Sequence, residues 1–343
     1  MKNMTIDISS STIFRTILII LAFVFVFYIA DILLLLFISF VIVSAVTPLV
    51  DRLENYKIPR TASASVIYLG IVAGLGGLIS LAIPSIVDQG KQLIENIPAY
   101  WSFLTHTTWF QYLFSEGSGG FSSSNGLFTI LGRGLTATGG GIFSQAGSLV
   151  ARVFYLAVLM SLSFYMTIEK HAINKVARYL LPREHETYVI SLIGRIQDKM
   201  GRWLQGQLLL NVIVGGAVYL VLVALGVPYA FVLALAAGFL EFIPNIGPTI
   251  SAVLATLVAL TINPITAVFV IIAFVIIQQL ENQLLVPMIM KKAVGLNPVV
   301  IIVVLLVGAR LGGPLGAIMA VPLATAFTEF LGDLLDKSEN PAR

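Results

Sequence analysis

Past Arg15 the chain runs to Leu49 with a single charged side chain, Asp31, and apolar stretches recur all the way to residue 331. No other feature limits the fold so strongly. Asp, Glu, Lys and Arg make up only 11% of the 343 residues, against 58% hydrophobic ones. A soluble domain carries about a quarter charged residues, so this chain cannot clothe a water-facing surface. Barrel strands would alternate with period two, whereas these runs are continuous. The sequence therefore predicts an all-α polytopic membrane protein of the cytoplasmic membrane, with about six to eight membrane segments.

Several chemistries drop out at once. There is no cysteine, which excludes disulfides, thiolate catalysis and Cys-ligated metal. His106, His171 and His185 are scattered and lack ligand spacing. No Walker-type loop and lysine is present, so no nucleotide cofactor is expected, nor any other. The net charge of +3 comes from basic residues clustered in loops, as positive-inside topology requires, without a nucleic-acid-binding module.

As one helix, residues 13–49 would measure about 55 Å, against a hydrocarbon core of about 30 Å. They are expected to turn between Tyr28 and Asp31, giving helices 13–29 and 32–49. The first is read as retained, since its apolar run is too long for a signal peptide. Arg52, Lys57 and Arg60 mark a cytoplasmic loop, and a third helix, 61–82, is expected to stop near Pro84. Residues 1–83 thus form an N-terminal membrane unit. Residues 84–149 mix polar and apolar positions, contain a Ser/Gly-rich link at 115–126, and read as an extracytoplasmic amphipathic segment. In 150–204 a membrane helix, 150–168, leads into a basic, amphipathic cytoplasmic helix carrying Arg195, Lys199 and Arg202. Residues 205–332 form the core, and 333–343 a tail. Both termini are expected in the cytoplasm.

In the core, residues 205–225 suffice to span. Residues 228–243 and 249–262 reach only about 24 and 21 Å. Between them lies Pro244-Asn245-Ile246-Gly247-Pro248. The prolines cannot donate backbone hydrogen bonds, and broken backbone at membrane depth survives only when buried in protein or lining a wet cavity. A re-entrant hairpin explains both the lengths and the break. Residues 265–286 span again. Residues 298–310 and 315–331 then flank a second tip, Gly312-Gly313-Pro314. Long helix, Gly/Pro turn, short helix, tip and short helix thus occur twice with opposite expected orientation, the pattern of an inverted repeat around a transport site.

Ionisable or amide groups inside such segments mark solute or ion paths. Glu241, Asn245, Glu281 and Arg310 are the candidates, with Pro244, Gly247, Pro248, Gly312, Gly313 and Pro314 shaping the tips. Opposed tips would bring Glu241 and Arg310 together at depth. Glu281 has an interfacial reading as well, since Lys291 follows ten residues later. Gln205, Gln207 and Asn211 read as interhelical hydrogen bonders. An intramembrane enzyme would need a nucleophile–base pair or metal ligands at depth, and none stands out. A membrane scaffold leaves the two tips unexplained.

Gly226-Val227-Pro228-Tyr229-Ala230, Phe242–Pro248, Gln278–Asn282 with Pro287, Val294–Pro298, Gly313–Gly316 and Val321-Pro322-Leu323 resemble, in order and spacing, the motif series of the autoinducer-2 exporter (AI-2E) family. The N-terminal helices and the Arg60 start of the third also fit. Asn297 stands where members often have histidine. The resemblance implies a permease without ATPase, forming homo-oligomers. Its solute would be a small polar molecule such as autoinducer-2, or Na+ or Li+ exchanged for H+.

Overall fold

A chain in hydrocarbon must satisfy its backbone internally, and every regular element among the described residues is helical. The computed structural model describes residues 10–106, 146–169, 183–244, 246–290 and 298–339. In order they form α1 (Ser10–Tyr28), α2 (Ala30–Asn55), α3 (Arg60–His106), α4 (Ala146–Ile168) and α5 (Arg183–Ala224). Then come α6 (Ala230–Leu240), α7 (Ile246–Leu260), α8 (Pro264–Leu280), a π-helical turn (Glu281–Leu285), α9 (Val286–Met290) and α10 (Pro298–Glu339). Five described stretches are long and apolar enough to cross a membrane: Ala30–Asn55, Arg60–Leu78, Glu186–Ala224, Pro264–Met290 and Val299–Asp333. Their outer faces expose Leu, Ile, Val and Phe side chains that only hydrocarbon or another protein surface would accommodate.

The N-terminal helices differ from expectation in two ways. A break does fall at Ile29, within Tyr28–Asp31, but the helical ladder crosses it. Ile29 N–H bonds to Phe25 O and Leu33 N–H to Ile29 O, each at 3.0 Å. With φ −97° and ψ 11° at Ile29 the chain kinks and does not reverse. The physical reason is the one visible in the sequence: no Gly or Pro is present there to end the helix. Likewise α3 does not stop near Pro84 but continues through it to His106. One proline removes a single hydrogen bond and bends a helix, which a long helix survives.

α5 is the central post. Its 42 residues make about 63 Å of helix. Met200 and Trp203 on its first half pack with Val41 of α2 and with Leu305, Ala317, Ala320 and Val321 of α10. Val218 and Leu222 on its second half pack with Leu233 of α6, Ala255 of α7 and Val270 of α8. A third cluster joins Val46 and Val50 of α2 to Ala64 and Tyr68 of α3, beside Phe164 of α4. There the Tyr68 and Thr167 hydroxyls share a 2.9 Å hydrogen bond, and Arg60 Nε donates to Thr167 O at 2.9 Å. Gln205 Nε2 donates to Ala45 O, fulfilling its expected role between helices.

α5 ends in a Schellman motif: Gly226 has φ +65°, and Val227 N–H bonds to Leu222 O. α6 and α7 then measure only about 16 and 22 Å; α7 matches the length read from the sequence, while α6 is shorter, since its helix starts at Ala230 and ends at Leu240, inside the expected 228–243. α8 starts where Asn263 accepts a hydrogen bond from Thr266 N and Pro264 takes the first helical position.

α10 is interrupted. Gly312 and Gly313 leave helical geometry, the latter at φ +60° and ψ −147°, a region open to glycine. A straight helix would hold Gly308 and Gly316 about 12 Å apart. Instead, a β-carbon on either glycine would overlap the other's carbonyl oxygen. The two arms therefore fold back on each other at the predicted tip.

Candidate functional site

The first tip is made tight by what its residues lack. Pro244 and Pro248 have no N–H to leave unpaired. Ile243 N–H bonds to Leu240 O and Gly247 N–H to Ile243 O, both at 2.9 Å. Gly247 lies against the Leu240 carbonyl so closely that any β-carbon would overlap it. Ser251 Oγ donates to Gly247 O at 2.9 Å. Asn245, a candidate from the sequence, lies outside the described residues.

Glu241 begins this turn, just past the last residue of α6, and only 2% of it is exposed. Its carboxyl group meets that of Glu281, itself only 6% exposed. Glu281 is therefore buried in protein, beside the first tip. Gln278 Nε2 donates to Glu281 Oε2 at 3.2 Å. Gln207 of α5, also buried, donates to the Glu241 backbone carbonyl at 2.8 Å and to Asn211 Oδ1 at 2.9 Å. Among the described residues Glu241 Oε2 has no hydrogen-bond partner. Two carboxylates pressed together in a low-dielectric interior repel, and a shared proton or a bound cation relieves that repulsion. The arrangement is thus chemically suited to hold and release a small positive charge.

The expected meeting of Glu241 with Arg310 does not occur: Arg310 is exposed on α10, and Glu281 occupies the place beside Glu241. The π-turn explains part of this. Val286 N–H reaches back five residues to Glu281 O. Pro287 could not continue a regular ladder, and the wider turn absorbs it while resetting which face the preceding residues present. Pro287 six residues after Glu281 was the available signal. The Gln207 bond to the tip had no signal beyond the residue type.

The second tip contributes through packing. Ile243 of the first turn lies against the cluster that contains Leu305, Ala317 and Ala320 from the two arms of α10. Nearer the chain's end, Arg195 pairs with Glu329 at 3.0 Å and with Asp333, and Lys199 pairs with Glu329. Among the described residues no group of three or more His, Cys, Asp or Glu side chains suits a metal ion.

The family model for AI-2E family transporters matches residues 14–336. The "Putative transport protein YueF" of Bacillus subtilis is 30% identical over 293 residues, covering 82% of this chain and 78% of that protein. The AI-2 transport protein TqsA of Escherichia coli is 24% identical over 304 residues, covering 86% and 83%. With helices of the right length, two folded-back tips and a match over nearly its whole length, this chain belongs to the AI-2E transporter family.

Proposed function

We propose that this permease is a secondary transporter whose solute path passes the Glu241–Glu281 pair, with the two hairpins entering the bilayer from opposite sides and gating it in turn. The observation that carries this reading is the buried pair itself, with one carboxylate oxygen unmatched among the described residues at a broken-helix tip. Intramembrane carboxyls are costly and mark ion and solute paths. In this reading Glu241 and Glu281 take up and release a proton, Asn245 and freed tip carbonyls bind solute, and Gly312, Gly313 and Pro314 shape the opposite gate. Arg310 stands beside that second tip as a contact for solute outside the closed pair. The solute we assign is a small polar molecule such as autoinducer-2, as the name of the E. coli relative suggests. Both termini lie in the cytoplasm, and the working form is a homo-oligomer.

A second reading, exchange of Na+ or Li+ for H+, is favoured by the same unmatched carboxylate oxygen, since a desolvated cation seeks such ligands. Purified protein in vesicles distinguishes the two. Autoinducer-2 accumulation driven by a pH gradient supports the first. Sodium-dependent collapse of a pH gradient without autoinducer-2 movement supports the second. Absence of both fluxes overturns the transport reading.

A further inference from the structure

α5 and α6 run antiparallel along a seam that glycines make close. A β-carbon on Gly215 would sit 3.3 Å from Ala234 O, and one on Gly238 2.8 Å from Asn211 O. One turn further along the same seam, Gln207 Nε2 donates to Glu241 O at 2.8 Å. The contacts 215–234, 211–238 and 207–241 thus step down the two helices, and the last joins α5 to the residue that carries a buried carboxyl. The preceding residue of α5 meets the other half of the site. A β-carbon on Gly206 would lie 2.9 Å from Ile289 Cγ2 and 3.1 Å from the Met290 sulfur. Both belong to α9, the helix that leads out of the π-turn begun by Glu281.

The Gln207 bond replaces one that the backbone does not supply. Glu241 lies where α6 ends, so its carbonyl leaves the helical ladder, and Pro244, three residues on, has no N–H to offer it. Among the described residues no backbone N–H reaches this carbonyl. Only a donor can meet a carbonyl oxygen, so the nitrogen of the Gln207 amide, not its oxygen, faces Glu241. The same nitrogen also donates to Asn211 Oδ1 at 2.9 Å, which holds the amide in that orientation. Gln207 is only 4% exposed.

We infer that Gln207 is the positioning residue of the carboxyl pair: its bond to the Glu241 carbonyl holds the first tip against α5 and thereby keeps the Glu241 side chain on Glu281. Gln207 acts here through the backbone, without touching solute. When residue 241 lifts from α5 it carries its side chain away, and the pair separates. The bearing on flux rests on the transport reading, whereas the positioning stands apart from it. Gln205 offers a matched comparison. It lies on the same helix and its amide also donates to a backbone carbonyl, but that carbonyl is Ala45 O, so the bond ties α5 to α2 and not to the tip.

The chain has no cysteine, so Glu241→Cys introduces a single thiol at a buried position while keeping the carbonyl that Gln207 holds. N-ethylmaleimide reaches that thiol when the tip opens, and its reaction rate in the full chain in detergent reports the open population. Adding Gln207→Met, which has nearly the shape of glutamine but no N–H, should raise the rate by about tenfold, the worth of one hydrogen bond. Adding Gln205→Met should leave it nearly unchanged. Gln207→Asn, whose amide ends one carbon short of the carbonyl, is a second variant should the first fold poorly, with the same rise expected. In protein that keeps both carboxyls, Gln207→Met should lower the flux of autoinducer-2, or of Na+ against H+, by about tenfold in vesicles, and Gln205→Met should preserve it. An unchanged reaction rate in a folded Gln207 variant, or an equal rise with Gln205→Met, overturns the inference. A faster reaction with undiminished flux upholds the positioning and instead removes the pair from the transport path.

Discussion

Replacing Glu241 by Gln, or Glu281 by Gln, is expected to lower solute flux in vesicles by about ten- to a hundredfold while leaving the fold intact. Each exchange keeps the shape of the side chain and removes its ability to hold or release a proton. Hydrogen bonds to charged groups contribute roughly 1.5–3 kcal/mol, which is about ten- to a hundredfold in an equilibrium. The two effects should not add, because the groups touch and act as one unit. The double variant should therefore resemble either single one. Thermal unfolding should change little, since an amide relieves the repulsion between two buried carboxylates. Full transport and full coupling in both single variants would remove the pair from the proposed path.

The second large effect is on folding. Gly247→Ala and Gly308→Ala are each expected to cost about 1–3 kcal/mol or more. In both places the added carbon would overlap a backbone carbonyl oxygen, of Leu240 and of Gly316 respectively, and backbone cannot step aside as a flexible side chain does. Gly216→Ala is the matched control. It sits in a helix with open space around it, and alanine gains up to about 1 kcal/mol there by helix propensity. Denaturation in detergent should thus lower the midpoint for the two tip variants and hold or raise it for the control. Three equal shifts would mean that the arms do not meet closely at these glycines.

The location of both tips was legible because helix breaking is local chemistry: Pro244, Gly247 and Pro248, or Gly312 and Gly313, act on their own neighbours. The short reach of α6 and α7 followed from counting residues. What failed depended on how much one local signal counts in a long helix. Pro84 was read as a stop, yet α3 passes through it, and a polar Asp31 was read as a reversal where the backbone only kinks. The partner of Glu241 was beyond reach for another reason. It depends on the rotation of one helix about its axis, and the π-turn after Glu281 alters that rotation by one inserted residue. An opposite charge, Arg310, was the natural guess from charge alone. A like charge at the same spot stores more chemistry, because it demands a proton or cation.

The most direct measurement is proton release. Purified protein in weakly buffered detergent solution is mixed with saturating autoinducer-2, or separately with Na+, and the pH is followed. The account predicts a rapid release or uptake of about one proton per chain with one of these solutes, abolished in both Glu241→Gln and Glu281→Gln. Solute that binds with no proton movement, or proton movement that persists undiminished in both variants, would contradict the claim that this buried pair couples the transporter.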